Sequence, residues 1–271
     1  MSPQLEAFVE YITIIKALSK ASIEAYTNDL SLIEEFHKRP LIQIDEVKLL
    51  EYLSGFENKR TLNRKLSSIN AFFDFCHQEF SKEQVKFKFS KIPSTLPKYL
   101  SFDQIMNALS LIDRSTWIGL RDYAMILFLY ATGLRISECL SLEHNDFEEQ
   151  WLRVRHAKGD KERIVPVAAE AIKAIRAYEC ECPFESTDVW LNYRGKSLSR
   201  ISAYKITKKY LNVSPHVLRH SYATALILGG ADLRIVQELL GHASLLTTQV
   251  YTHIQKQNLK DTVLQYHPMA N

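Results

Sequence analysis

The sequence predicts a mainly α-helical protein with a small antiparallel β-sheet, divided into a helical N-terminal domain and an α+β C-terminal domain. Three observations support this prediction. Residues 1–90 repeat apolar side chains at helical spacing. Residues 91–100 contain two prolines and no helical period, which is typical of a linker between domains. Within residues 101–271, the segment 151–157 alternates as a strand, and residues 164–167 can pair with it.

The N-terminal domain is predicted to contain about four helices. Ser19 or Ser22 can cap one of them, because a serine oxygen accepts a hydrogen bond from a free amide at a helix start. That helix carries one apolar stripe, and a later helix carries a second. The first stripe contains Ile23, Tyr26, Leu30 and Ile33, and the second contains Thr61, Leu62, Leu66, Ile69, Phe72, Phe73 and Cys76.

Helix signals follow one another through the C-terminal domain. Ser101, with Gln104 three residues later, forms a capping-box pattern. An apolar helix over residues 117–132 stops at Gly133, and Arg135 follows near the start of a short helix. Further helices are predicted to begin near Ala168, Ser199 and Ser214-Pro215, over residues 232–240 before Gly241, and from Ser244 onward.

The composition is that of an ordinary soluble protein, with 46% hydrophobic and 24% charged residues in a chain of 271. No stretch approaches 18 uninterrupted apolar residues and no basic-then-apolar leader begins the chain, so we expect a cytoplasmic protein with no membrane partner. The cysteines Cys76, Cys139, Cys180 and Cys182 show neither metal-ligand spacing nor a C-x-x-C pair. We therefore expect reduced thiols, with Cys76 and Cys139 in the core.

The positive charge is concentrated in the second part of the chain. Residues 1–96 carry 13 basic and 13 acidic side chains, so the whole net charge of +3 arises from residues 97–271. Residues 189–231 contain no Asp or Glu, and we predict a surface that faces phosphates, since a solvated helix face normally mixes both signs. The basic residues of this window are Arg194, Lys196, Arg200, Lys205, Lys208, Lys209 and Arg219. A smaller basic group at the start of the second N-terminal stripe consists of Arg60, Arg64 and Lys65.

Two arginines, two histidines and a tyrosine near turns or helix starts suit chemistry at a phosphodiester. They are Arg135, His216, Arg219, His242 and Tyr251. Guanidinium forks grip phosphate oxygens in pairs, histidines exchange protons near neutral pH, and a tyrosine can attack phosphorus. His216 and Arg219 are three residues apart, so they share one face of a helix whose N-terminal amides also favour an anion.

A zinc site is the alternative interpretation of His216 and His220, which are four residues apart. A metalloprotease helix needs glutamate after the first histidine, but Val217 occupies that position and no acidic third ligand lies nearby in sequence. We therefore predict no metal. Lys158 lies at the predicted turn between the two strands, where a lysine most often only increases solubility.

Five separated segments resemble the motif boxes of the tyrosine recombinase (phage integrase) family, and the chain is most similar to the Xer recombinases within it. The segments are residues 131–142, Lys158-Gly159, residues 215–224, 239–242 and 250–253. They occur in the family's order. Residues 1–90 resemble the family's helical core-binding domain, and residues 101–271 resemble its catalytic domain. The resemblance implies a nucleophile, Tyr251, assisted by the catalytic residues Arg135, Lys158, His216, Arg219 and His242.

The implied reaction cleaves DNA and leaves a 3′-phosphotyrosyl bond. Arg135 and Arg219 would clamp the phosphoryl oxygens, on which negative charge builds, and His242 would add a hydrogen bond. Tyr251 must lose its proton as it attacks, and His216 is the best candidate for the general base.

The role of Lys158 follows from the family alone, in which the hairpin lysine gives a proton to the leaving 5′-oxygen. Glu138, His220 and His253 are expected beside the catalytic groups, with Glu138 orienting Arg135. The phosphotyrosyl bond preserves the energy of the broken linkage, so we expect no cofactor. In agreement, the sequence has no G-x-x-x-x-G-K-[ST] loop and no evident carboxylate cluster for paired Mg²⁺ ions.

We therefore expect a metal- and ATP-independent site-specific recombinase that acts on double-stranded DNA through a Holliday junction. The lack of an extra N-terminal arm-binding domain favours chromosome-dimer resolution at a dif-like site, with a role in chromosome partition and cell division. The integrase of a mobile element is the alternative within the family. A type IB topoisomerase and a non-catalytic DNA-binding regulator are the alternatives from other classes.

The resemblance also implies partners. It predicts a homo-tetramer on synapsed DNA, or a hetero-tetramer with a related recombinase, and an FtsK-type DNA translocase that controls it. In the family, the tail that follows the nucleophile packs on a neighbouring protomer. Packing of this tail on its own domain is the other arrangement compatible with the sequence.

Overall fold

The computed structural model describes residues 1–16, 18–83, 85–91, 99–157, 161–241 and 253–269, without the side chains of residues 156, 157, 161 and 253–256. The chain divides into two compact units, residues 1–95 and residues 96–271. The predicted linker, residues 91–100, lies mostly outside the described residues, and the exact domain bounds stay a prediction. None of the described helices is long and apolar enough to cross a lipid bilayer.

The N-terminal unit is helical, as predicted. Its elements are α1 (Pro3–Ile14), α2 (Lys20–His37), a 3-10 turn (Leu41–Gln43), α3 (Glu46–Ser54) and α4 (Lys59–Phe80). Each α-helix follows a residue whose side-chain oxygen accepts a hydrogen bond from a backbone amide in the first turn. This bond gives a partner to an amide that the start of a helix leaves unpaired. Of the two predicted caps for α2, Ser19 is the one used, and it accepts from the amide of Ser22.

The predicted apolar stripes line the core of this unit. Leu30 and Ile33 of α2 are fully buried, as is Ile69 of α4. Phe8 of α1 packs edge-on against Phe72 of α4, with ring centroids 5.5 Å apart, an arrangement that aromatic quadrupoles favour. The helices therefore converge on one apolar cluster that leaves their polar faces to solvent.

The C-terminal unit combines helices with one three-stranded sheet. Its elements are α5 (Phe102–Ser110), α6 (Trp117–Thr132), α7 (Ile136–Leu140), a 3-10 turn (His144–Asp146), β1 (Phe147–Glu148), β2 (Trp151–Ala157), β3 (Lys161–Pro166), α8 (Ala169–Glu181), α9 (Arg200–Leu211), α10 (Pro215–Gly229), α11 (Leu233–Leu240) and α12 (His253–Tyr266). The sheet is antiparallel with strand order β1-β2-β3. The predicted pairing of the two longer strands is confirmed, with Leu152 opposite Val165. The sequence did not reveal β1, because two residues are too few to show alternation.

The helix α6 forms the centre of the main core and is buried along most of its length. Phe128 of this helix packs against Trp190, which in turn stacks on Tyr178 with ring centroids 6.0 Å apart. Cys139 of α7 is also buried, as is Cys76 in the N-terminal unit, so both are core residues as predicted. Burial raises the pKa of the Cys76 thiol to about 11, which makes it unreactive near neutral pH.

Two predicted helix stops are confirmed as left-handed glycines. Gly133 ends α6 with φ of +61°, and Gly241 ends α11 with φ of +68°. At Gly133 a side chain is also excluded by packing, because an added Cβ would lie 2.4 Å from Cδ1 of Tyr222. These two turns bring the ends of α6 and α11 to the region described next.

The described part of the C-terminal tail packs on its own chain. Leu259 and Val263 of α12 are buried in a small apolar cluster with residues of α10 and α11. His267, just after α12, is buried between the rings of Tyr130 and Tyr222, at centroid distances of 4.9 and 5.1 Å. In this single chain the tail therefore adopts the arrangement within its own domain. The predicted helix start at Ser244 lies outside the described residues.

Candidate active site

Three arginines meet at the C-terminal end of α11. Each donates to one of three consecutive carbonyl oxygens that the helix leaves without an amide partner. The pairs are Arg163 Nε with Leu239 O at 3.2 Å, Arg219 Nη2 with Leu240 O at 2.6 Å, and Arg135 Nη2 with Gly241 O at 3.3 Å. The negative end of the helix dipole adds to this attraction. The end of α11, two residues before His242, is thereby held by the side chains of three arginines from elsewhere in the chain.

Arg219 lies on α10, three residues after His216. Its Nη1 donates to the oxygen of Gly133 at 2.7 Å, so its guanidinium joins the ends of α6 and α11. Burial lowers the pKa of Arg219 to about 10, and repulsion from Arg135 acts in the same direction. The side chain stays charged at neutral pH, and an anion placed beside it would relieve both the lost hydration and the repulsion.

Arg135 immediately precedes α7, and Glu138 on the first turn of that helix contacts it twice. The backbone amide of Arg135 donates to Glu138 Oε2 at 2.8 Å. This is the bond that the acidic residue of a capping box makes to the N-cap amide at the start of a helix. The Arg135 Nη1 donates to Glu138 Oε1, also at 2.8 Å. The Arg135 side chain keeps 27% of its surface exposed, so part of its guanidinium faces solvent.

Glu138 is buried and shared between two arginines. In addition to Arg135, it accepts a bidentate pair from Arg163, with Nη1 at 3.0 Å and Nη2 at 2.8 Å. Burial alone would raise the pKa of Glu138, but the hydrogen bonds and charge of Arg163 and Arg135 outweigh it and lower the pKa to about 2. One carboxylate faces three guanidinium groups, including Arg219, so the cluster keeps a positive excess that suits a phosphodiester.

Arg163 is the member of this cluster that the sequence did not reveal. It lies on β3 opposite Val154, two residues before the buried Val165, so it points to the same face of the strand as a core residue. The sequence offers one signal for the burial of Arg163: it occupies the same alternating positions of the strand as the apolar residues that face the core. A buried arginine must be paired, and alternation therefore indicates a buried partner, which is Glu138.

The two histidines of α10 occupy different environments. His216 is exposed on the first turn of the helix, whereas His220 is half-buried one turn later. The His220 ring contacts the edge of Tyr99, with centroids 6.5 Å apart. The exposed position of His216 beside Arg219 leaves its ring accessible to a bound molecule.

The side chains of four predicted site residues are not described. Lys158, His242 and Tyr251 lie outside the described residues, and His253 begins α12 without a described side chain. For two of them the preceding residue is described. Lys158 follows the end of β2, and His242 follows Gly241 at the arginine cluster. Their roles stay predictions.

The basic window, residues 189–231, forms an exposed positive surface on α9 and the turn before it. All six predicted DNA-binding side chains of that surface are exposed, namely Arg194, Lys196, Arg200, Lys205, Lys208 and Lys209. Tyr193 lies beside them, with the guanidinium of Arg194 5.1 Å from its ring centroid. The combination of exposed cations and an aromatic ring is suited to a nucleic-acid backbone.

The smaller basic group of the N-terminal unit requires a correction. Arg60 is exposed, and Arg64 is partly exposed and pairs with Asp29. Lys65 is only 4% exposed, its Nζ lies 3.1 Å from Asp29 Oδ1, and the same ammonium lies over the Phe56 ring. Its predicted contact with DNA is therefore wrong for this structure, because α4 turns Lys65 towards the core, where Asp29 neutralises it.

The chain is similar to known proteins over its whole length. Residues 98–258 match the sequence profile of the phage integrase family, and residues 5–79 match that of the phage integrase N-terminal SAM-like domain. The chain is 35% identical to the tyrosine recombinase XerD of Listeria innocua serovar 6a, with 100% of both chains covered. It is 36% identical to the tyrosine recombinase XerC of Anoxybacillus flavithermus, with 98% of both chains covered.

A solved structure with a related fold is that of the XerH site-specific recombinase bound to its difH substrate in a pre-cleavage complex. The TM-score is 0.60 at 25% sequence identity, and the match covers 82% of this chain and 72% of that chain.

Proposed function

The chain belongs to the phage integrase family of tyrosine recombinases, and we propose that it cleaves and rejoins DNA through a covalent 3′-phosphotyrosine on Tyr251. It is a site-specific recombinase. The observation that carries the proposed mechanism is the arginine cluster at the end of α11. Backbone carbonyls at helix ends hold both Arg135 and Arg219, and Glu138 also holds Arg135. Arg135 is nevertheless partly exposed, and Arg219 is only half-buried. Fixed, partly exposed guanidinium groups can donate hydrogen bonds to the phosphoryl oxygens of a phosphodiester while it is being cleaved.

In the proposed cleavage step, the Tyr251 oxygen forms a bond to phosphorus as the bond to the DNA 5′-oxygen breaks. Negative charge builds on the phosphoryl oxygens, where Arg135 and Arg219 stabilise it. Loss of one such fixed donor typically costs about 2–4 kcal/mol of barrier. The guanidinium groups already occupy fixed positions before DNA binds, so little reorganisation is needed at the moment of reaction.

Two proton transfers complete this step. A tyrosine phenol has a reference pKa of about 10, so Tyr251 loses its proton during attack, and His216 is the proposed acceptor. Lys158 is the proposed donor to the leaving 5′-oxygen. Rejoining reverses the scheme: a 5′-hydroxyl attacks the phosphotyrosine, the new P–O bond forms, and the Tyr251 oxygen leaves and regains a proton. The strand is resealed without a nucleotide cofactor.

The proposed DNA contacts involve the exposed basic surface on α9 together with the exposed Arg60 and Arg64 of the N-terminal unit. Six exposed cations, all from a sequence window without Asp or Glu, support contacts to the phosphate backbone. The similar XerH recombinase is bound to its DNA substrate, which supports the same class of partner here.

The proposed biological site is dif-like, and the proposed role is the resolution of chromosome dimers through a Holliday junction. Full-length similarity to XerD and XerC proteins supports this role over that of a mobile-element integrase. A tetramer on synapsed DNA, formed by this chain alone or with a related recombinase, and control by an FtsK-type translocase complete the proposal.

A nicked suicide substrate tests the chemistry. The short fragment that carries the released 5′-hydroxyl diffuses away and cannot rejoin, so the wild-type protein should accumulate as a covalent DNA adduct. Tyr251→Phe should form none, whereas Tyr266→Phe, which removes a hydroxyl from α12, should form it normally. The mechanism is wrong if the wild type forms no adduct on any candidate site or if Tyr251→Phe still forms one. Dif-like sites and mobile-element ends, tested side by side, separate the two biological roles.

A further inference from the structure

Arg163 has the contacts of a residue that positions others. Only 4% of its side chain is exposed, and its three nitrogen atoms donate to Glu138 and to the Leu239 oxygen. The guanidinium is thus surrounded by protein groups, in contrast to the partly exposed Arg135. Its function is therefore to be sought in the groups that it holds.

The location of Arg163 is unusual for a residue that serves packing alone. It occupies the core-facing side of β3, two residues from the buried Val165. Burying an ion pair costs several kcal/mol of desolvation for each ion, and apolar side chains of similar volume often stabilise such positions equally well. The Arg163–Glu138 pair thus adds little to stability that Leu or Met could not supply, and what it adds is a fixed geometry.

That geometry links three segments that carry proposed catalytic residues. Arg163 itself lies five residues after Lys158, on the strand that leaves the hairpin turn. Its partner Glu138 lies three residues after Arg135 and contacts it directly. Its other partner, Leu239, lies three residues before His242. The close approach is aided by Gly241, where an added Cβ would lie 3.0 Å from Arg163 Nη1.

The geometry points to Arg163 as a positioning residue that holds Arg135 and the end of α11 in the register required for strand cleavage. This inference rests on the proposed function of Arg135 as a phosphate clamp. Because Arg163 occupies both oxygens of Glu138, Arg135 makes a single side-chain contact with that carboxylate. Without Arg163, Glu138 would be free to take Arg135 as a bidentate partner and draw its guanidinium away from the phosphate.

The test compares Arg163→Met with Arg153→Met, which removes an exposed arginine from β2 of the same hairpin. Three quantities are measured: the single-turnover rate of adduct formation at saturating DNA, the Kd for the site, and the melting temperature. We expect Arg163→Met to slow cleavage by about 10²-fold, the usual effect of a misplacement near 1 Å, with the Kd changed less than about threefold. Arg153→Met should cleave at the wild-type rate. Arg163→Lys, which keeps the charge but not the fork, should give an intermediate rate.

A double-variant cycle separates positioning from general loss of structure. If Arg163 acts through Arg135, then Arg163→Met should slow cleavage by less than about threefold in an Arg135→Lys background, because coupled residues are not additive. The proposal is overturned if the full slowing recurs in that background, or if a folded Arg163→Met cleaves at the wild-type rate. If Arg163→Met does not fold, the same cycle is run with Arg163→Lys, for which full additivity is the contradicting outcome.

These outcomes are independent of the proposed chemistry. Failure of the wild-type protein to form an adduct would reject the role of Tyr251. A wild-type adduct together with rapid cleavage by Arg163→Met would reject only the role of Arg163.

Discussion

Replacement of Glu138 by Gln tests the electrostatic core of the site most directly. The substitution keeps the shape of the side chain but removes the charge that pairs with Arg163 and Arg135. Arg163 is then left buried without a counter-ion, and breaking a buried pair in this way typically costs about 3–5 kcal/mol of unfolding free energy.

A second route to the magnitude uses the pKa of Glu138. Folding lowers it from 4.5 to about 2, and each pKa unit corresponds to about 1.4 kcal/mol, so the ionised carboxylate contributes about 3 kcal/mol. Because the folded-state pKa lies below the unfolded one, this contribution is complete above pH 4.5 and is lost as the pH falls towards 2. This contribution lies within the range of about 3–5 kcal/mol that is typical for breaking a buried ion pair.

Urea denaturation followed by tryptophan fluorescence measures this loss in the relevant unit, since the tryptophans are residues 117, 151 and 190. We expect Glu138→Gln to be less stable than the wild type by about 3 kcal/mol at pH 7, with the difference shrinking below pH 4.5. As a control, Glu170→Gln removes an exposed carboxylate paired with Lys173 and should change stability by less than about 1 kcal/mol. A difference below 1 kcal/mol for Glu138→Gln at pH 7, or one independent of pH, would refute the reasoning.

Three further predictions concern other parts of the chain. Gly133→Ala should destabilise the C-terminal unit by about 2–5 kcal/mol, because it combines left-handed backbone strain with a clash against Tyr222. It should also slow cleavage, because it shifts the carbonyl that holds Arg219. Thermal denaturation measures the stability loss, with Gly55→Ala as the control, since its added Cβ makes only an ordinary contact at 3.6 Å. His267→Phe should remove a pH dependence of the wild-type free energy of unfolding. Burial lowers the pKa of His267 to about 4, so the neutral ring contributes its full stability above pH 6.5 and about 3 kcal/mol is lost as the pH falls to 4. Equal pH profiles of wild type and variant between pH 6.5 and 4 would contradict this. Lys205→Gln should lower the slope of log Kd against log salt by about one, whereas Lys65→Gln should leave the slope unchanged, and equal slopes for the two variants would contradict the assignment of the DNA surface.

Local signals account for most of what was predicted correctly about the fold. The cap at Ser19, the capping box at Ser101 and the helix stop at Gly133 each depend on residues within one helical turn. The pairing of β2 with β3 follows from alternation in two segments that are close in sequence. Such features are determined by backbone hydrogen bonding and steric constraints close in sequence, so the sequence alone was sufficient to predict them.

The candidate site could likewise be predicted from the sequence only where the information is local. Arg135 and Arg219 could be proposed from the sequence because their motif neighbours accompany them along the chain. Their meeting at one helix end could not be, since it joins segments 106 and 21 residues apart. The identity of the carboxylates that neutralise the buried Lys65 and Arg163 was equally inaccessible, because Asp29 and Glu138 lie 36 and 25 residues away.

The sequence by itself therefore determined most of the elements of this protein, its family and the residue types that can act on a phosphodiester. Only the tertiary structure decided which cations face solvent and which are neutralised inside. The physical reason is that a charge is stable in the interior only beside an opposite charge, and the distance between two such side chains is set by the packing of whole helices and strands.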